Sequence, residues 1–245
     1  MYAYIFDSFL QDRKYAHDIT QIENRLVTLG IQGRTEKMTI LKNIQEAVRA
    51  AIKRGATTIV VVGNDETVNK VLPQLVEEKI TLGFIPLGPN QSIAQVLGIP
   101  EGLAACDVIS RRVVRHLDMG RVNTMYFLFS LSAPANVIFD CGDYTVSSLD
   151  PAGSFTIHNF ASPHTHGRPD DGQVELVVQG GQEQRSWLGR KHNSAPSTFS
   201  LQQAKITSLN GSAMITLDGQ LSVKTPATLE VVKGKLDVII GKNLK

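Results

Sequence analysis

Two short loops in the first half of the chain carry residues that could bind a phosphate group. The first, Gly63-Asn64-Asp65, follows the apolar run Thr57–Val62, and the second, Pro86–Ser92, follows the run Ile80–Ile85. Each loop leads into a helix-like pattern, and the free backbone amides at a helix start favour an anion. In an open α/β sheet such loops emerge at the carboxyl ends of the strands, where ligands bind. The loops therefore predict a phosphate site at one edge of a parallel sheet.

The residues around these loops predict the elements that must position them. Thr57–Val62 is β-branched and lacks polar alternation, as is typical of a strand buried on both faces of a parallel sheet. Apolar residues from Val68 to Val76 recur at helical spacing. Pro73 interrupts this stripe and predicts a kink or a restart of the helix.

The preceding segment predicts the same alternation of strands and helices. Tyr2–Phe6 is typical of a first strand, and Ile31–Met38 of a short one. A helix is predicted over Ile40–Lys53, with Ile40 and Leu41 among its inward residues. Another helix is predicted to end at Gly30, with these residues facing inward: Ile19, Ile22, Leu26, Val27 and Leu29. With right-handed crossovers this alternation gives a doubly wound, Rossmann-like parallel sheet.

From about Val122 the pattern changes to successive strand-like runs without helices between them. The runs begin with Tyr126–Leu131 and end with Leu236–Ile240, with Gly, Pro, Asp and Ser turns between them. We therefore predict an α/β domain over residues 1–121 and an antiparallel β-sandwich domain over 122–245. Whether the last strand returns to the first domain is left open.

Composition and charge narrow the class of protein. The formal net charge is +2 and 42% of the residues are hydrophobic, so a packed core is expected and a nucleic-acid partner is not. Cys106 and Cys141 form no metal-like or CxxC spacing, which favours a reducing cytoplasm. No run approaches the roughly 20 apolar residues of a membrane span. We expect a cytoplasmic protein, with peripheral binding to a membrane surface left open.

Five stretches resemble, in order, the motifs of the diacylglycerol kinase catalytic domain family, which is related to sphingosine kinases and more distantly to NAD kinases. Gly63–Asn69 resembles the family's GGDGTxN, and Pro86–Pro100 resembles its PLGTGNDFARxLGIP. Asp118–Asn123, Pro169–Gly172 and Asp218–Gln220 resemble DLGxxN, PDDG and DGE. The resemblance implies a nucleotide-binding domain followed by a β-sandwich. It also implies ATP-dependent phosphorylation of a lipid hydroxyl, with ATP and Mg²⁺ as cofactors of an active protein.

The resemblance also implies roles for individual residues. Asp65 matches a catalytic position, and Gln220 replaces the family's glutamate base. Asp218 is the nearest carboxylate that could substitute for that base. Asp170 and Asp171 match a loop near which relatives hold a metal ion. The implied nucleotide-binding residues are Thr35, Gly63, Asn64, Asp65, Glu66, Thr67, Asn69, Gly88 and Pro89. Asp65 as a helix cap, and Asp218 and Asp170-Asp171 as turn residues, are the alternatives.

Several departures from the family pattern predict weak or lost catalysis. Glu66 places a negative charge beside the expected phosphates, and Pro89 lacks both a hydroxyl and an amide hydrogen. Gln220 cannot take up a proton at neutral pH. The alternative is a catalytically inactive lipid- or nucleotide-binding protein of the same fold. The oligomeric state is not determined.

Three further groups of residues have two interpretations each. His158, His164 and His166 could form part of a metal site or be solvated loop residues. The arginines Arg111, Arg112 and Arg115 could meet an anionic head group, although a solvated role is favoured. Trp187 and Arg190–His192 lie in a polar loop that could face a lipid or a protein partner.

Overall fold

A computed structural model describes residues 1–162, 164–165, 167–180 and 196–241. The chain forms two compact units, one of Met1–Leu117 with Lys235–Lys245, the other of Asp118–Gly234. His166, Trp187 and Arg190–His192 lie outside the described residues, so the hypotheses that concern them stay predictions. No helix in the described part of the chain is long and apolar enough to cross a membrane.

The first unit contains the helices and the parallel strands. Its helices are α1 (Ala16–Thr28), α2 (Ile44–Lys53), α3 (Asp65–Glu78), α4 (Ser92–Val96) and α5 (Ala105–Arg111). Its first four strands are β1 (Tyr2–Phe6), β2 (Arg34–Lys37), β3 (Thr58–Gly63) and β4 (Thr81–Pro86). Short 3₁₀ helices cover Ser8–Gln11, Arg13–Tyr15 and Gly102–Ala104.

The remaining strands begin at the end of the first unit and continue through the second. They are β5 (Val114–Val122), β6 (Met125–Phe127), β7 (Ser130–Pro134), β8 (Val137–Asp140), β9 (Thr145–Ser147), β10 (Ser154–His158), β11 (Val174–Gln179), β12 (Ser197–Leu201), β13 (Gln203–Ser208), β14 (Met214–Leu217), β15 (Leu221–Lys224) and β16 (Ala227–Ile239).

The strand order of the first unit confirms the predicted doubly wound sheet. Strands β2, β1, β3 and β4 lie side by side in that order and are all parallel. The direction in which strands are added reverses at β1, which makes this a topological switch point. Every residue of β3 and β4 is buried, in keeping with their apolar sequences. At Val238 the last strand, β16, pairs in parallel with Leu82 of β4.

The second unit is built from two antiparallel sheets that share one hydrophobic core. One sheet has the order β12-β11-β10-β7-β14-β15, and the other joins the first half of β16 to β13, β8 and β9. Phe127, Phe139 and Phe155 are fully buried in the core between them. This arrangement confirms the predicted antiparallel β-sandwich, with inward and outward residues alternating along the strands.

The prediction that a helix begins at Ile40 was wrong. The side chain of Asn43 accepts hydrogen bonds from the backbone amides of Gln45 at 2.8 Å and Glu46 at 3.4 Å, so α2 begins at Ile44. Ile40 and Leu41 are 95% and 97% exposed instead of facing inward. The apolar periodicity continued past a cap that sets the start of the helix.

A smaller prediction about α1 was also wrong, and one of the two outcomes predicted for α3 does not occur. Val27 is 63% exposed, whereas Ile22 and Leu26 of the same helix are buried. At Pro73 the helix does not restart, since α3 runs from Asp65 to Glu78, and the kink stays a prediction. Buried neighbours of Pro73, including Val71, Leu72 and Leu75, keep the helix packed although one backbone hydrogen bond is lost.

The start of α2 leads to a test of stability. Asn43→Ala should lower the free energy of unfolding by about 1 kcal/mol, because two helix amides lose their acceptor. Ile40→Ser and Leu41→Ser should stay within about 0.5 kcal/mol of the wild type, since both side chains are almost fully exposed. Urea denaturation followed by circular dichroism measures both. If Asn43→Ala stabilised the chain, Asn43 would lie inside the helix.

Candidate functional site

The loops that follow β1, β3 and β4 lie against one another at the carboxyl edge of the parallel sheet. The amide of Asp7, just after β1, donates to the carbonyl of Val62 at 3.1 Å. The amide of Leu87, just after β4, donates to the carbonyl of Gly63 at 2.7 Å. Three strand ends therefore bring Asp7, Asn64 and Leu87 to one place.

A buried hydrogen-bond network fixes the loop after β3. The Thr67 hydroxyl donates to Asp7 Oδ2 at 2.7 Å and accepts from the backbone amide of Asn64 at 3.2 Å. The amide of Thr67 donates to Asn64 Oδ1 at 3.1 Å, which completes a capping box at the start of α3. A Cβ on Gly63 would lie 2.5 Å from Thr67 Oγ1, so only glycine fits there.

Asp65 bonds to the start of the next helix. Its Oδ2 accepts from the amide of Ser92 at 2.8 Å and its Oδ1 accepts from the amide of Ile93 at 3.1 Å. The amide of Asp65 donates to the carbonyl of Asn90 at 3.0 Å. Burial raises the pKa of Asp65, and the hydrogen bonds from the two amides oppose that rise. The carboxylate occupies the place that an anion would take at these amides.

An aromatic side chain covers the loop after β4. Gly88 has a φ of +98°, and a Cβ there would lie 2.7 Å from Phe9 Cε2. The Phe9 ring packs edge-on against Tyr15, with ring centroids 5.7 Å apart. Pro89, next in the chain, is exposed.

The remaining predicted nucleotide-binding residues lie in different surroundings. Glu66 is exposed on the first turn of α3, where it adds a second carboxylate to that of Asp65. Among the described residues, Asn69 Oδ1 is a buried acceptor without a hydrogen-bond partner. Thr35 is exposed on β2 and pairs with Tyr4, before the carboxyl end of the strand.

These loops do not fit a polyphosphate as they are arranged here. The amides of Ser92 and Ile93 donate to Asp65, and the amide of Thr67 donates to Asn64. The carboxylates of Asp7 and Asp65 lie within the hydrogen-bonded loops, where a phosphate would meet negative charge.

In the second unit, Asp218 is bonded to backbone amides. The residue has a φ of +48°, and its carboxylate accepts from the amides of Leu128, Phe129 and Ser130, each at 2.8 Å. These bonds also explain why the predicted strand Tyr126–Leu131 is divided into β6 and β7. Gln220 is exposed, and its amide donates to the carbonyl of Leu217 at 3.0 Å.

A second buried carboxylate, Asp118, organises the loop that contains Asp170 and Asp171. Asp118 is 3% exposed, and its oxygens accept from the amides of Gly172 at 2.6 Å and Gly234 at 2.7 Å. Asp170 pairs with Arg168 at 3.2 Å, while Asp171 accepts from the amide of Gln173 at 2.9 Å.

No group of three or more His, Cys, Asp or Glu side chains in the described part of the chain could hold a metal ion. The metal role of Asp170 and Asp171 stays a prediction.

His158 is partly buried, and burial, followed by the charge of His164, lowers its pKa. Arg112 stacks on Tyr2 and donates to Thr58 Oγ1 at 2.9 Å, which gives it a structural role.

Sequence reasoning gave no role of its own to two carboxylates, Asp7 in the first unit and Asp118 in the second. Asp7 comes directly after the apolar strand β1, as Asp65 comes shortly after β3. This position at a strand end could have indicated that Asp7 lies near Asp65. Asp118 interrupts an apolar run between Leu117 and Met119, so a buried partner could have been expected for it.

Comparison with known proteins shows which family the first half of the chain is similar to. Residues 6–122 match the family model "Diacylglycerol kinase catalytic domain". The chain is 32% identical over 114 residues to a diacylglycerol kinase of Bacillus subtilis (strain 168), a match covering 45% of this chain and 38% of that protein. It is 34% identical over 86 residues to a diacylglycerol kinase of Staphylococcus haemolyticus (strain JCSC1435), covering 34% of this chain and 26% of that protein. The chain thus matches about a third of the length of these relatives.

Solved structures are similar over the whole chain. The crystal structure of a diacylglycerol kinase from Bacillus anthracis str. Sterne has a TM-score of 0.79 at 17% identity, covering 100% of this chain and 98% of that one. A second structure from the same organism, also 17% identical, has a TM-score of 0.81 with the same coverage. At this identity the likeness shows the fold alone.

The chain therefore has the two-domain fold of these solved diacylglycerol kinase structures. Residues 6–122, slightly less than half of the chain, are similar in sequence to the diacylglycerol kinase catalytic domain.

The contacts of Asp218 lead to a test of stability. Asp218→Asn should lower the free energy of unfolding by about 2 kcal/mol, because a neutral amide replaces a carboxylate that accepts from three amides. Asparagine tolerates the positive φ of this position, so backbone strain does not obscure the result. Asp171→Asn, at an exposed site with one such bond, should cost less than about 1 kcal/mol. Equal losses in urea denaturation would contradict the special role of Asp218.

The raised pKa of Asp65 predicts a pH dependence. The folded chain keeps the proton on Asp65 to higher pH than the unfolded chain, so this carboxyl favours folding at low pH. That contribution is lost as the pH rises through the pKa of the folded state. The unfolding free energy of the wild type minus that of Asp65→Asn should therefore increase as the pH is lowered from neutral toward the ordinary pKa of an aspartate. Urea denaturation in matched buffers tests this. A difference that decreased on acidification would show that the hydrogen bonds from the two amides lower the pKa of Asp65 by more than burial raises it.

Proposed function

We propose that this chain is a diacylglycerol kinase-like protein in which ATP-dependent phosphoryl transfer to a lipid hydroxyl is weak or lost. The observation that carries the proposal is the bonding of the Asp65 carboxylate to the amides of Ser92 and Ile93. A carboxylate of the chain itself takes the place that an anionic ligand would need. The family match supports the class of reaction that the chain descends from.

Electrostatics supports low affinity for a triphosphate at these loops. Asp65 and Glu66 lie side by side at the first turn of α3, and Asp7 bonds to Thr67 in the same turn. Neighbouring carboxylates repel the charged oxygens of a nucleotide, most strongly where water is scarce.

The missing base supports slow turnover. Gln220 stands at the position of the family's glutamate and cannot accept a proton, while Asp218 is bonded to three amides. A positioned general base contributes typically ~10²–10⁴ in rate, so its absence accounts for a weak or lost reaction.

ATP and Mg²⁺ are the cofactors of any residual reaction in this proposal, and a lipid is its acceptor. Asp170 and Asp171 would then supply carboxylate oxygens of the kind that Mg²⁺ prefers. The alternative is a catalytically inactive protein that binds a lipid or a nucleotide. The packing of Phe9 against Gly88 favours this alternative, because the ring covers one of the two loops.

A kinase assay tests the main proposal. Wild type, Asp65→Asn and Gln220→Glu are incubated with Mg²⁺, radiolabelled ATP and mixed micelles of diacylglycerol or other hydroxyl-bearing lipids. We expect the wild type to be close to background. Gln220→Glu should increase turnover by up to the ~10²–10⁴ that a positioned base contributes, because the substitution restores a proton acceptor while the loops stay unchanged. Brisk phosphorylation by the wild type that Asp65→Asn abolishes would overturn the proposal.

Isothermal titration separates the two candidates. A weak kinase binds ATP in the presence of Mg²⁺, whereas an inactive lipid-binding protein gives no heat with ATP and still binds lipid micelles. Binding of ATP without turnover would identify an inactive nucleotide-binding protein.

A further inference from the structure

The loop between β2 and α2 exposes two large aliphatic side chains. The amide of Lys42 donates to the carbonyl of Thr39 at 3.1 Å, so Thr39–Lys42 forms a turn with Ile40 and Leu41 at its centre. We call this turn the β2–α2 tip. Ile40 and Leu41 are 95% and 97% exposed, although central turn positions usually carry Gly, Pro, Asn, Asp or Ser.

Local structure explains the shape of the tip but not its residue types. Asn43 caps α2 directly after the tip. On the other side of the tip, Met38 is buried, and its backbone amide donates a hydrogen bond to the carbonyl of Phe6 at 2.8 Å. The turn is therefore fixed on both sides, while its two aliphatic side chains are left in water. A single exposed apolar residue is ordinary, but two adjacent ones at the centre of a turn favour an apolar partner.

Basic residues gather around Glu36, on the strand that leads into the tip. Glu36 forms ion pairs with Lys42 at 2.5 Å and with Arg54 at 3.4 Å. The hydrogen bond from Lys42, together with the charges of Lys42, Arg54 and Arg34, lowers the pKa of Glu36. These three cations outnumber Glu36 and Glu46, the exposed carboxylate in the first turn of α2, so one positive charge is left in excess. Lys37 pairs with Glu23 at 2.9 Å and adds no further excess.

The chemistry of this surface fits a lipid bilayer better than a protein groove. Protein hot spots are enriched in Trp, Tyr and Arg held in pockets, whereas the tip offers two aliphatic side chains on a turn. Exposed aliphatic residues bordered by long basic side chains suit a membrane interface, because the cations reach the anionic head groups while the apolar groups enter the acyl boundary.

The position of the tip supports the same partner. β2 is parallel to β1, so the tip leaves the sheet at the carboxyl edge that also carries Asp7 and Asn64. A membrane that contacts the tip would face the edge where the candidate site lies.

We propose that the β2–α2 tip docks this chain on anionic membranes by inserting Ile40 and Leu41 among the lipid head groups. This inference goes beyond the proposed function because docking requires neither ATP nor turnover, and it stands if the kinase assay shows no reaction.

Vesicle co-sedimentation of the intact chain tests the proposal. The vesicles contain phosphatidylcholine alone or phosphatidylcholine mixed with phosphatidylglycerol. We expect the wild type to bind the mixed vesicles, and the double variant Ile40→Ser/Leu41→Ser to bind at least about tenfold more weakly. Leu149→Ser is the matched control, because Leu149 is 100% exposed and is followed by an acidic residue, Asp150. It should bind like the wild type.

A charge variant separates docking at the tip from nonspecific adsorption to vesicles. Glu36→Gln removes the carboxylate that Lys42 and Arg54 share, so binding to the mixed vesicles should tighten by about fivefold. Binding to phosphatidylcholine alone should not change.

Three outcomes would overturn the proposal. They are no binding of the wild type to the mixed vesicles, equal binding by the double variant, and weaker binding by Leu149→Ser than by the double variant. Light scattering adds a further check, because a dimer that only the double variant abolishes would assign the tip to a second copy of the chain.

Discussion

Hydrogen bonds that backbone amides donate to a carboxylate join the loops at the carboxyl edge of the parallel sheet. Asp65 follows β3, and the amides that it accepts from, those of Ser92 and Ile93, follow β4. Because β3 and β4 are buried along their whole length, the two loops have little freedom to separate. The contact that stabilises this edge also determines its chemistry, since an external anion would have to displace Asp65.

The second unit uses carboxylates in the same way. Asp118 accepts from the amides of Gly172 and Gly234, and Asp218 accepts from three successive amides. Hydrogen bonds to a charged acceptor are worth about 1.5–3 kcal/mol each, more than neutral ones, so these residues are strong local supports. In both units, residue types that could perform catalysis are bonded to the backbone of the chain itself.

Much of the fold could be predicted from the sequence, and the errors have a common cause. Runs of β-branched residues without polar alternation identified β3 and β4, because a strand buried on both faces requires apolar residues at every position. Apolar periodicity shows which residues could face a core, but it does not show where a helix begins. The start of α2 was therefore misplaced, because the cap at Asn43 sets it. Val27 shows the same limit of apolar periodicity. Its spacing fits the inward stripe of α1, yet its side chain is exposed.

The sequence by itself determined the order of strands and helices, the change to a β-sandwich and the family motifs, because these depend on residue type and local spacing. Only the tertiary structure decided what the motif residues bind. Thr67 reaches Asp7 across 60 positions, Asp65 reaches Ser92 across 27, and Asp218 reaches Leu128 across 90. A carboxylate has the same sequence signature whether it meets a ligand or an amide, and its partner is fixed only when distant strand ends are brought together.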